Sequence, residues 1–480
     1  NEVYQNFQLP REAYRGLNDR DSHLHVATFS ATLQPGESLT FVASTAIPNA
    51  LTGQSLELDH ADVLSRLLDG KQALSDRYSY EQELIEAWQA ANPDLTTPKE
   101  IGQLVLAADQ FLVERQVDNN VAGKSIIAGY HWFNDWGRDT MISLPGLTLA
   151  TGRPEIARLI ITTFAEYISQ GMLPNRFPDG DRLTDADYNT VDATLWYFEA
   201  VRQYYAQTKD QEFLQDIFPK LAEIIDWHRR GTRFGIKLDE DGLLKAGVEG
   251  VQLTWMDALV NGEVITPRYG KPIEVNALWY NALRTMAAFA TTLGQAASQY
   301  QQMAEATQKG FARFWNQATG YCYDVLDSPD GTNDPSLRPN QIFALSLPEC
   351  PLTREQQQGV IQACQQSLLT SYGLRSLERH NAQYQGHYGG DQYQRDSSYH
   401  QGTVWGWLMG SFALAHFRVY GDRDRALSFL EPMVDHLNNA GLGSISEIFD
   451  GDAPFPPRGC IAQAWSVAEV LRAWQLIAKG

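Results

Sequence analysis

Two carboxylic acids stand out because each lies in a long segment between predicted helices, where side chains are available for chemistry. Asp257 follows Trp255 and Met256 in a weakly charged segment, and Glu447 follows glycines that free the backbone. Hydrolysis of a glycosidic bond requires one protonated carboxyl group and one carboxylate on opposite sides of the scissile bond. Because an apolar wall raises a carboxyl pKa, the sequence favours Asp257 as general acid and Glu447 as general base.

The choice of this pair is not unique on spacing alone. Two carboxyl groups on opposite walls of one cavity, separated by roughly 6.5–9.5 Å, indicate an inverting mechanism. A carboxylate in the first turn of a helix also has a purely structural interpretation, as a cap or a favourable charge. The rival carboxylates are Asp139, Asp192, Glu274, Asp450 and Asp452.

Aromatic residues recur in the long segments beside carboxylates, amides and arginines. Aromatic rings cover the C–H faces of a sugar, while planar polar groups bind its hydroxyls. Any single tryptophan at a helix end is more often part of the core, but their concentration favours a neutral, polyhydroxylated ligand. The candidate binding residues are Trp136, Arg138, Asp139, Asn189, Asp192, Trp255, Glu274, Asn276, Trp279, Arg338, Asn340, His400, Gln401 and Trp405.

These residues must be positioned by helices, because from about residue 97 onward apolar residues recur at spacings of three and four. The spacing predicts twelve helices. They cover residues 98–117, 138–150, 153–170, 188–207, 211–230, 273–294, 296–316, 339–346, 354–369, 400–418, 422–438 and 460–478.

Short and long connections alternate between these helices. Short connections join antiparallel neighbours into hairpins. Six hairpins with long returns predict a mainly α fold, an (α/α)6 barrel whose long loops all emerge at one end. Because long loops in a compact domain are usually functional, we expect the candidate residues to gather at that end.

The first part of the chain has a different pattern. Alternating residues at 23–33 and 38–44 flank the turn-forming residues 34–37 and predict a β-hairpin. We therefore expect residues 1–50 to be the remnant of an N-terminal β-domain, residues 51–95 to be a helical linker, and residues 96–480 to form the catalytic barrel.

Composition narrows the class of partner. With 38 Lys and Arg against 58 Asp and Glu, the formal charge is −20, which argues against nucleic acid or an anionic membrane. No apolar run reaches membrane-spanning length. The four cysteines are far apart in the sequence, which favours a reducing, cytoplasmic location. No nucleotide-binding or metal-ligating motif is present, so we expect neither cofactor nor metal.

As a set, seven strings resemble the signature of the amylo-α-1,6-glucosidase domain of glycogen debranching enzymes. The resemblance covers about residues 95–480 and rests on HWFNDWGRDT, YNTVDATLW, TWMDA, EVNALWYNAL, RPNQIFALSLP, YHQGTVWGW and SEIFDGD. It implies that Asp257 is the acid and Glu447 is the base. It also implies that the terminal glucose is bound by Trp136, Arg138 and Asp139. It implies the same role less firmly for Asn276, Trp279, His400 and Gln401.

The implied activity is removal of single glucose branch stubs from glycogen or a limit dextrin by an inverting, exo-acting α-1,6-glucosidase. Other interpretations stay open. The same fold serves glucoamylase-like and trehalase-like enzymes, a phosphorylase would need phosphate in place of water, and a non-catalytic glucan-binding relic would not need both carboxylates.

Overall fold

The computed structural model describes residues 2–41, 70–117, 121–178 and 183–480. The chain divides into two compact units, Asn1–Ala87 and Trp88–Gly480. The predicted boundary between residues 50 and 51 lies outside the described residues. The predicted linker is described from residue 70, where a long helix begins.

The first unit contains two antiparallel strands and a short helix. Strand β1 (Glu2–Gln8) pairs with β2 (Arg20–His25), and helix α1 (Pro10–Tyr14) lies between them in the sequence. The predicted hairpin is wrong in its pairing: residues 26–41 form no strand, and residues 42–44 are outside the described part. The turn itself is present, since Glu37 N donates to Gln34 O over 2.9 Å. Local alternation does not specify the partner strand, and here β2 pairs upstream.

The second unit is mainly helical, and the long helix that begins at Gly70 in the first unit ends within it at Ala91. In chain order, starting from the helix that begins at residue 70, the helices are α2 Gly70–Ala91, α3 Lys99–Asp109, α4 Gly137–Leu144, α5 Pro154–Ala165, α6 Asp192–Thr208, α7 Gln211–Arg230, α8 Ile273–Thr292, α9 Ser298–Phe311, α10 Phe343–Ser346, α11 Arg354–Ser367, α12 Gln392–Ser398, α13 Leu408–Tyr420, α14 Arg423–Ser428, α15 Glu431–His436 and α16 Ala464–Lys479.

Six of these helices contact one another in sequence. Helix α4 packs against α6, α6 against α8, α8 against α10, α10 against α13, α13 against α16, and α16 against α4. All eight residues of α4 and all four of α10 are buried, as expected for helices surrounded by others. The π-helical turn Pro145–Leu149 directly continues α4.

A second set of helices packs against the first. The contacts pair α5 with α6, α7 with α8, α9 with α8, α11 with α13, α14 with α16, and α3 with α16. Along α9 the buried residues are Tyr300, Ala304, Thr307, Gly310 and Phe311. That spacing of three and four is typical of a helix with one face on the core.

The short predicted connections are built from complementary caps. Helix α6 ends at the left-handed residue Lys209, and the next residue, Asp210, accepts a hydrogen bond from Phe213 N at the start of α7. Gly421 and Asp422 repeat this arrangement between α13 and α14. A left-handed C-cap followed by an aspartate N-cap reverses the chain within two residues.

Short strands occupy the longer connections. The remaining strands are β3 Leu112–Val117, β4 Val121–Ile126, β5 Gly129–Tyr130, β6 Lys237–Leu238, β7 Leu244–Lys245, β8 Leu259–Val260, β9 Glu263–Val264, β10 Lys271–Pro272, β11 Trp315–Asn316, β12 Tyr321–Cys322, β13 Val325–Leu326, β14 Leu369–Thr370, β15 Gly373–Arg375, β16 Val404–Trp405, β17 Ile448–Phe449, β18 Pro457–Arg458 and β19 Ala462–Gln463. Strands β14 to β18 form one antiparallel five-stranded sheet in sequence order.

Two predicted helices are clearly too long. The helix expected over residues 400–418 begins only at Leu408, because residues 404 and 405 form strand β16. The helix expected over residues 98–117 ends at Asp109, and residues 112–117 form β3, which pairs with β4 in a hairpin. The run from Leu112 to Val117 contains three consecutive polar residues, Glu114 to Gln116, so the helical spacing does not continue through it. Its structure is decided by pairing with the partner strand β4.

Candidate active site

A small cavity of about 90 Å³ lies where the long connections meet. It contains three carboxyl groups, one guanidinium group and several aromatic rings. The predicted residues that line it are Trp136, Arg138, Asp139, Trp255, Asp257, Trp405 and Glu447.

The start of helix α4 places Arg138 and Asp139 in the wall. The backbone of Gly137 donates to Asn175 O over 2.8 Å, and a Cβ at this position would lie 2.2 Å from Pro174 O. A side chain at Gly137 would therefore separate the start of α4 from the loop that contains Pro174 and Asn175. Trp136 N-caps the helix, in an extended conformation, and forms an isolated β-bridge with Arg176.

Arg138 joins two carboxylates. Its Nε donates to Asp192 Oδ1 over 2.8 Å, and its Nη1 donates to Asp257 Oδ2 over 2.9 Å. Asp192 also accepts from Thr190 Oγ1 over 2.8 Å. Arg138 and Asp192 are buried, so Asp192 reaches the cavity only through the arginine. It does not line the cavity itself.

Asp257 is half-buried, with 33% of its side chain exposed. Burial raises the pKa of its carboxyl group, and the facing charge of Arg138 opposes that rise. Asp192 adds a repulsion that raises the pKa further. A raised pKa keeps a carboxyl group protonated closer to neutral pH, as a general acid requires.

Glu447 is buried, and each of its two carboxyl oxygens accepts a hydrogen bond. Tyr399 OH donates to Oε1, and the backbone N–H of Cys460 donates to Oε2 over 2.7 Å. Burial raises the pKa of Glu447 to about 7, and both donors oppose the rise. Gly459 is required here because it has a φ of +66° and a Cβ would lie 2.2 Å from Oε2.

Asp139 is the third carboxyl group of the cavity. Burial raises its pKa to about 8; Arg138 opposes the rise, whereas Asp257 and Glu447 add to it. Three carboxyl groups that repel one another hold at least one proton near neutral pH. The cavity therefore combines proton donors with a proton acceptor.

An aromatic cluster forms the floor. Trp255 contacts Trp405 edge-on with ring centroids 5.2 Å apart, and His400 stacks on Trp405 at 5.1 Å. Trp255 Nε1 donates to Asn340 Oδ1 over 2.7 Å, which orients the indole. The rings are held by packing and by a hydrogen bond before any ligand binds.

Several predicted residues support the cavity without lining it. Glu274 pairs with Arg268, and Arg268 Nε in turn donates to Asp324 Oδ2 over 2.8 Å. Asn340 Nδ2 donates to Asp324 Oδ1 over 2.7 Å. This buried network ends at Trp255, because Asn340 also accepts from that indole.

Arg338 holds the loop that leads to the aromatic floor. Its Nη1 donates to His400 O over 2.8 Å and its Nη2 to Gln401 Oε1 over 2.9 Å. None of these three residues lines the cavity. They are buried and fix the chain before Trp405.

The remaining predicted binding residues make contacts away from the cavity. Asn276 accepts from Leu244 N over 2.7 Å, and Asn189 accepts from Asn175 Nδ2 over 3.5 Å. Trp279 is fully buried and stacks on His228, with ring centroids 6.0 Å apart. These three residues do not line the cavity.

The rivals Asp450 and Asp452 are also outside the cavity lining. Asp450 accepts two hydrogen bonds of 3.0 Å from Arg458 and one of 2.9 Å from His387 Nδ1. Asp452 accepts from Tyr384 OH over 3.1 Å. Both carboxylates tie the segment of residues 384–387 to the loop that carries the proposed base.

Sequence reasoning missed five lining residues, Ala128, Phe133, Tyr399, Gln463 and Trp465. Tyr399 directly precedes His400 in the quoted loop, so its position was visible, but its contact with Glu447 was not. Gln463 belongs to β19 and Trp465 to the first turn of α16. A polar–aromatic pair at a helix start, as at Trp136 and Arg138, is the signal that could have found them.

Two further features concern metal binding and membranes. Across those residues, no cluster of His, Cys, Asp or Glu has the arrangement needed to hold a metal ion. No helix within the same ranges is long and apolar enough to cross a bilayer.

Comparison with known proteins adds a family and a fold. The family described as amylo-alpha-1,6-glucosidase matches residues 106–472, and the glycogen debranching enzyme N-terminal family matches residues 1–40. The glycogen debranching enzyme of Saccharomyces cerevisiae is 26% identical over 378 residues, which cover 59% of this chain and 24% of the yeast protein. The chain thus spans about a quarter of that relative's length.

Solved structures share the fold. A GH63 mannosylglycerate hydrolase from Thermus thermophilus, in complex with Tris, has a TM-score of 0.56 at 14% identity, covering 78% of this chain and 98% of that chain. An uncharacterized conserved protein from the same organism has a TM-score of 0.56 at 16% identity, with coverages of 78% and 99%. At these identities the likeness concerns the fold alone.

Proposed function

This chain belongs to the amylo-alpha-1,6-glucosidase family of glycoside hydrolases, and from that membership we propose an inverting, exo-acting α-1,6-glucosidase. Its substrate is glycogen or a limit dextrin, from which it removes single glucose stubs. The observation that carries the proposal is the meeting of Asp257 and Glu447 in one aromatic-lined cavity with Arg138 and Asp139.

In the proposed reaction, the terminal glucose is bound by Trp136, Arg138 and Asp139. Asp257 transfers its proton to the bridging oxygen as the bond from that oxygen to C1 breaks. Glu447 removes a proton from a water molecule that attacks C1 from the opposite face. The products are β-glucose and the free 6-hydroxyl of the acceptor sugar.

The environment of each carboxyl group supports this division of roles. Burial and Asp192 both raise the pKa of Asp257, which favours the proton-donor form. Glu447 accepts hydrogen bonds from Tyr399 and from the Cys460 amide, which favours the carboxylate. A base with a pKa of about 7 is also a strong proton acceptor near neutral pH.

The proposed architecture is a closed (α/α)6 barrel within a catalytic domain of residues 96–480. Its support is the circuit of contacts from α4 through α6, α8, α10, α13 and α16 back to α4. We assign residues 1–50 to the end of a β-domain and 51–95 to a linker. The match of residues 1–40 to the debranching-enzyme N-terminal family supports the first assignment. The four unpaired cysteines support a cytoplasmic location.

The test is glucose release from a cyclodextrin that carries a single α-1,6-linked glucosyl branch. We expect glucose without added phosphate, little or no release from linear maltooligosaccharides or trehalose, and none with Glu447→Gln protein prepared in parallel. Faster cleavage of linear glucans or trehalose would assign a glucoamylase-like or trehalase-like activity. Glucose 1-phosphate formed only with phosphate would assign a phosphorylase. Binding without turnover would make the chain a glucan-binding relic.

A further inference from the structure

The side chain of Trp132 is unusual among the aromatic residues near the cavity because it faces outward. Half of its surface is exposed (50%), whereas Trp255, Trp405 and Trp465 are each at most 5% exposed. A single exposed aromatic ring is common on protein surfaces, so exposure alone assigns no role. The position of Trp132 next to a residue that lines the cavity is what indicates a role.

The backbone around Trp132 is fixed beside the proposed base. Phe133, the next residue, lines the cavity, and its N–H donates to Gly129 O over 3.0 Å. The backbone N–H groups of Trp132 and Phe133 face the sulfur of Cys460, whose own N–H donates to Glu447 Oε2 over 2.7 Å. The exposed ring therefore stands on a segment anchored next to the catalytic carboxylates.

The segment is also tied to the start of the last helix. Tyr130 and Ala462 are paired in the ladder between β5 and β19, and Ala128 N donates to Asn134 O over 2.9 Å. These bonds fix both ends of the loop backbone, and the indole of Trp132 contacts the Phe133 ring edge-on with centroids 6.5 Å apart. When the segment that carries a ring is already ordered, little conformational entropy of that segment is lost as a ligand stacks on the ring.

We propose that Trp132 is a platform for the sugar on the acceptor side of the scissile bond, so that the enzyme selects substrates carrying a glucan chain there. The inference rests on the proposed function. The buried rings of the cavity serve the glucose that is released, and Trp132 stacks on the sugar that remains. An indole face covers the C–H face of a pyranose and excludes water from it.

Two substrates separate this role from catalysis. A glucosyl-branched cyclodextrin has an acceptor-side sugar, and α-D-glucosyl fluoride has none. For Trp132→Ala we expect kcat/KM on the cyclodextrin to fall about three- to ten-fold, mainly through KM, as for loss of one aromatic contact. We expect kcat/KM on the fluoride to stay unchanged, and Trp132→Phe to retain most activity on both.

Tyr420→Ala is the matched control. Tyr420 is exposed (45%) and ends helix α13, whose thirteen residues span about 20 Å from the cavity side. Tyr420→Ala should leave kcat/KM unchanged on both substrates.

Two outcomes would overturn the proposed role of Trp132 as a platform. Equal losses on both substrates would show that Trp132 only positions its loop, and no loss on either would show that it contacts no sugar. Failure of the unaltered protein to cleave either substrate would instead overturn the proposed function, and the platform with it.

Discussion

Arg138 donates a hydrogen bond from Nη1 to Oδ2 of Asp257 over 2.9 Å. The contact places a permanent positive charge against the carboxyl group that we propose as the general acid. Arg138 alone would favour the ionised form, but burial outweighs it and the pKa of Asp257 is raised. The balance between these two effects decides whether Asp257 carries a proton when substrate binds.

The acid role of Asp257 predicts a dependence on the leaving group. Asp257→Asn should lower kcat on the glucosyl-branched cyclodextrin by about 10²–10⁴-fold, the usual contribution of a general acid. On α-D-glucosyl fluoride the loss should be much smaller, because fluoride leaves with little need for a proton. Glu447→Gln should impair both substrates strongly, since each needs an activated water. Near-unaltered cyclodextrin cleavage by Asp257→Asn would reject its role.

The hydrogen bond from Tyr399 to Glu447 predicts a shift in the pH profile. That bond lowers the pKa of Glu447 against the effect of burial, leaving it at about 7. Tyr399→Phe should therefore raise the pKa and move the acidic limb of kcat/KM to higher pH. The measurement is the pH dependence of cyclodextrin cleavage. Tyr393→Phe, at an exposed tyrosine on α12, should leave the limb in place. An unshifted limb in the Tyr399 variant would show that the contact does not tune the base.

The buried pair of Arg138 and Asp192 predicts a stability cost. Asp192→Asn removes one charge from a pair of side chains that are 3% and 1% exposed, and breaking a buried pair in this way costs about 3–5 kcal/mol. Since Asp257 still pairs with the arginine, we expect a loss at the lower end of this range in urea unfolding. Asp185→Asn alters a carboxylate that pairs with Arg233 and is itself 83% exposed, and it should cost less than about 1 kcal/mol. Equal costs for both variants would contradict the buried pairing.

Asp139 predicts a pH dependence of stability with an unusual sign. Its pKa of about 8 in the folded protein lies well above the value of about 4 in an unfolded chain. Between these pH values the folded state binds more protons, so the free energy of unfolding falls as pH rises. Asp139→Asn removes this loss, and its Tm relative to the unaltered protein should increase between pH 5 and pH 8. A difference in Tm that does not change with pH would contradict the raised pKa.

The sequence pattern predicted the location of the chemistry better than the orientation of each side chain. Asp139, Asp257 and Glu447 line one cavity, as the clustering of carboxylates in long loops suggested. Glu274 is also a carboxylate beside a long connection, in the first turn of α8, yet it pairs with Arg268. Spacing does not reveal whether a carboxylate finds a cation within its own loop or faces the cavity.

The limits of the fold prediction have a similar cause. Periodicity indicated the long helices, because an amphipathic stripe repeats many times along each one. It failed at residues 112–117 and at the predicted hairpin of residues 23–44, where the apolar pattern is too short to distinguish between structures or to specify a partner strand. The partner strands, β4 and β1, decide those segments, and pairing between distant residues is not encoded in the local pattern.

The anomeric form of the first glucose released tests the central claim most directly. Proton NMR during the first minutes of cyclodextrin cleavage distinguishes α-glucose from β-glucose before the two interconvert. Attack of a water activated by Glu447 on the face opposite Asp257 predicts β-glucose from the α-linked branch. Initial release of α-glucose would contradict the inverting mechanism and the roles proposed for both carboxyl groups.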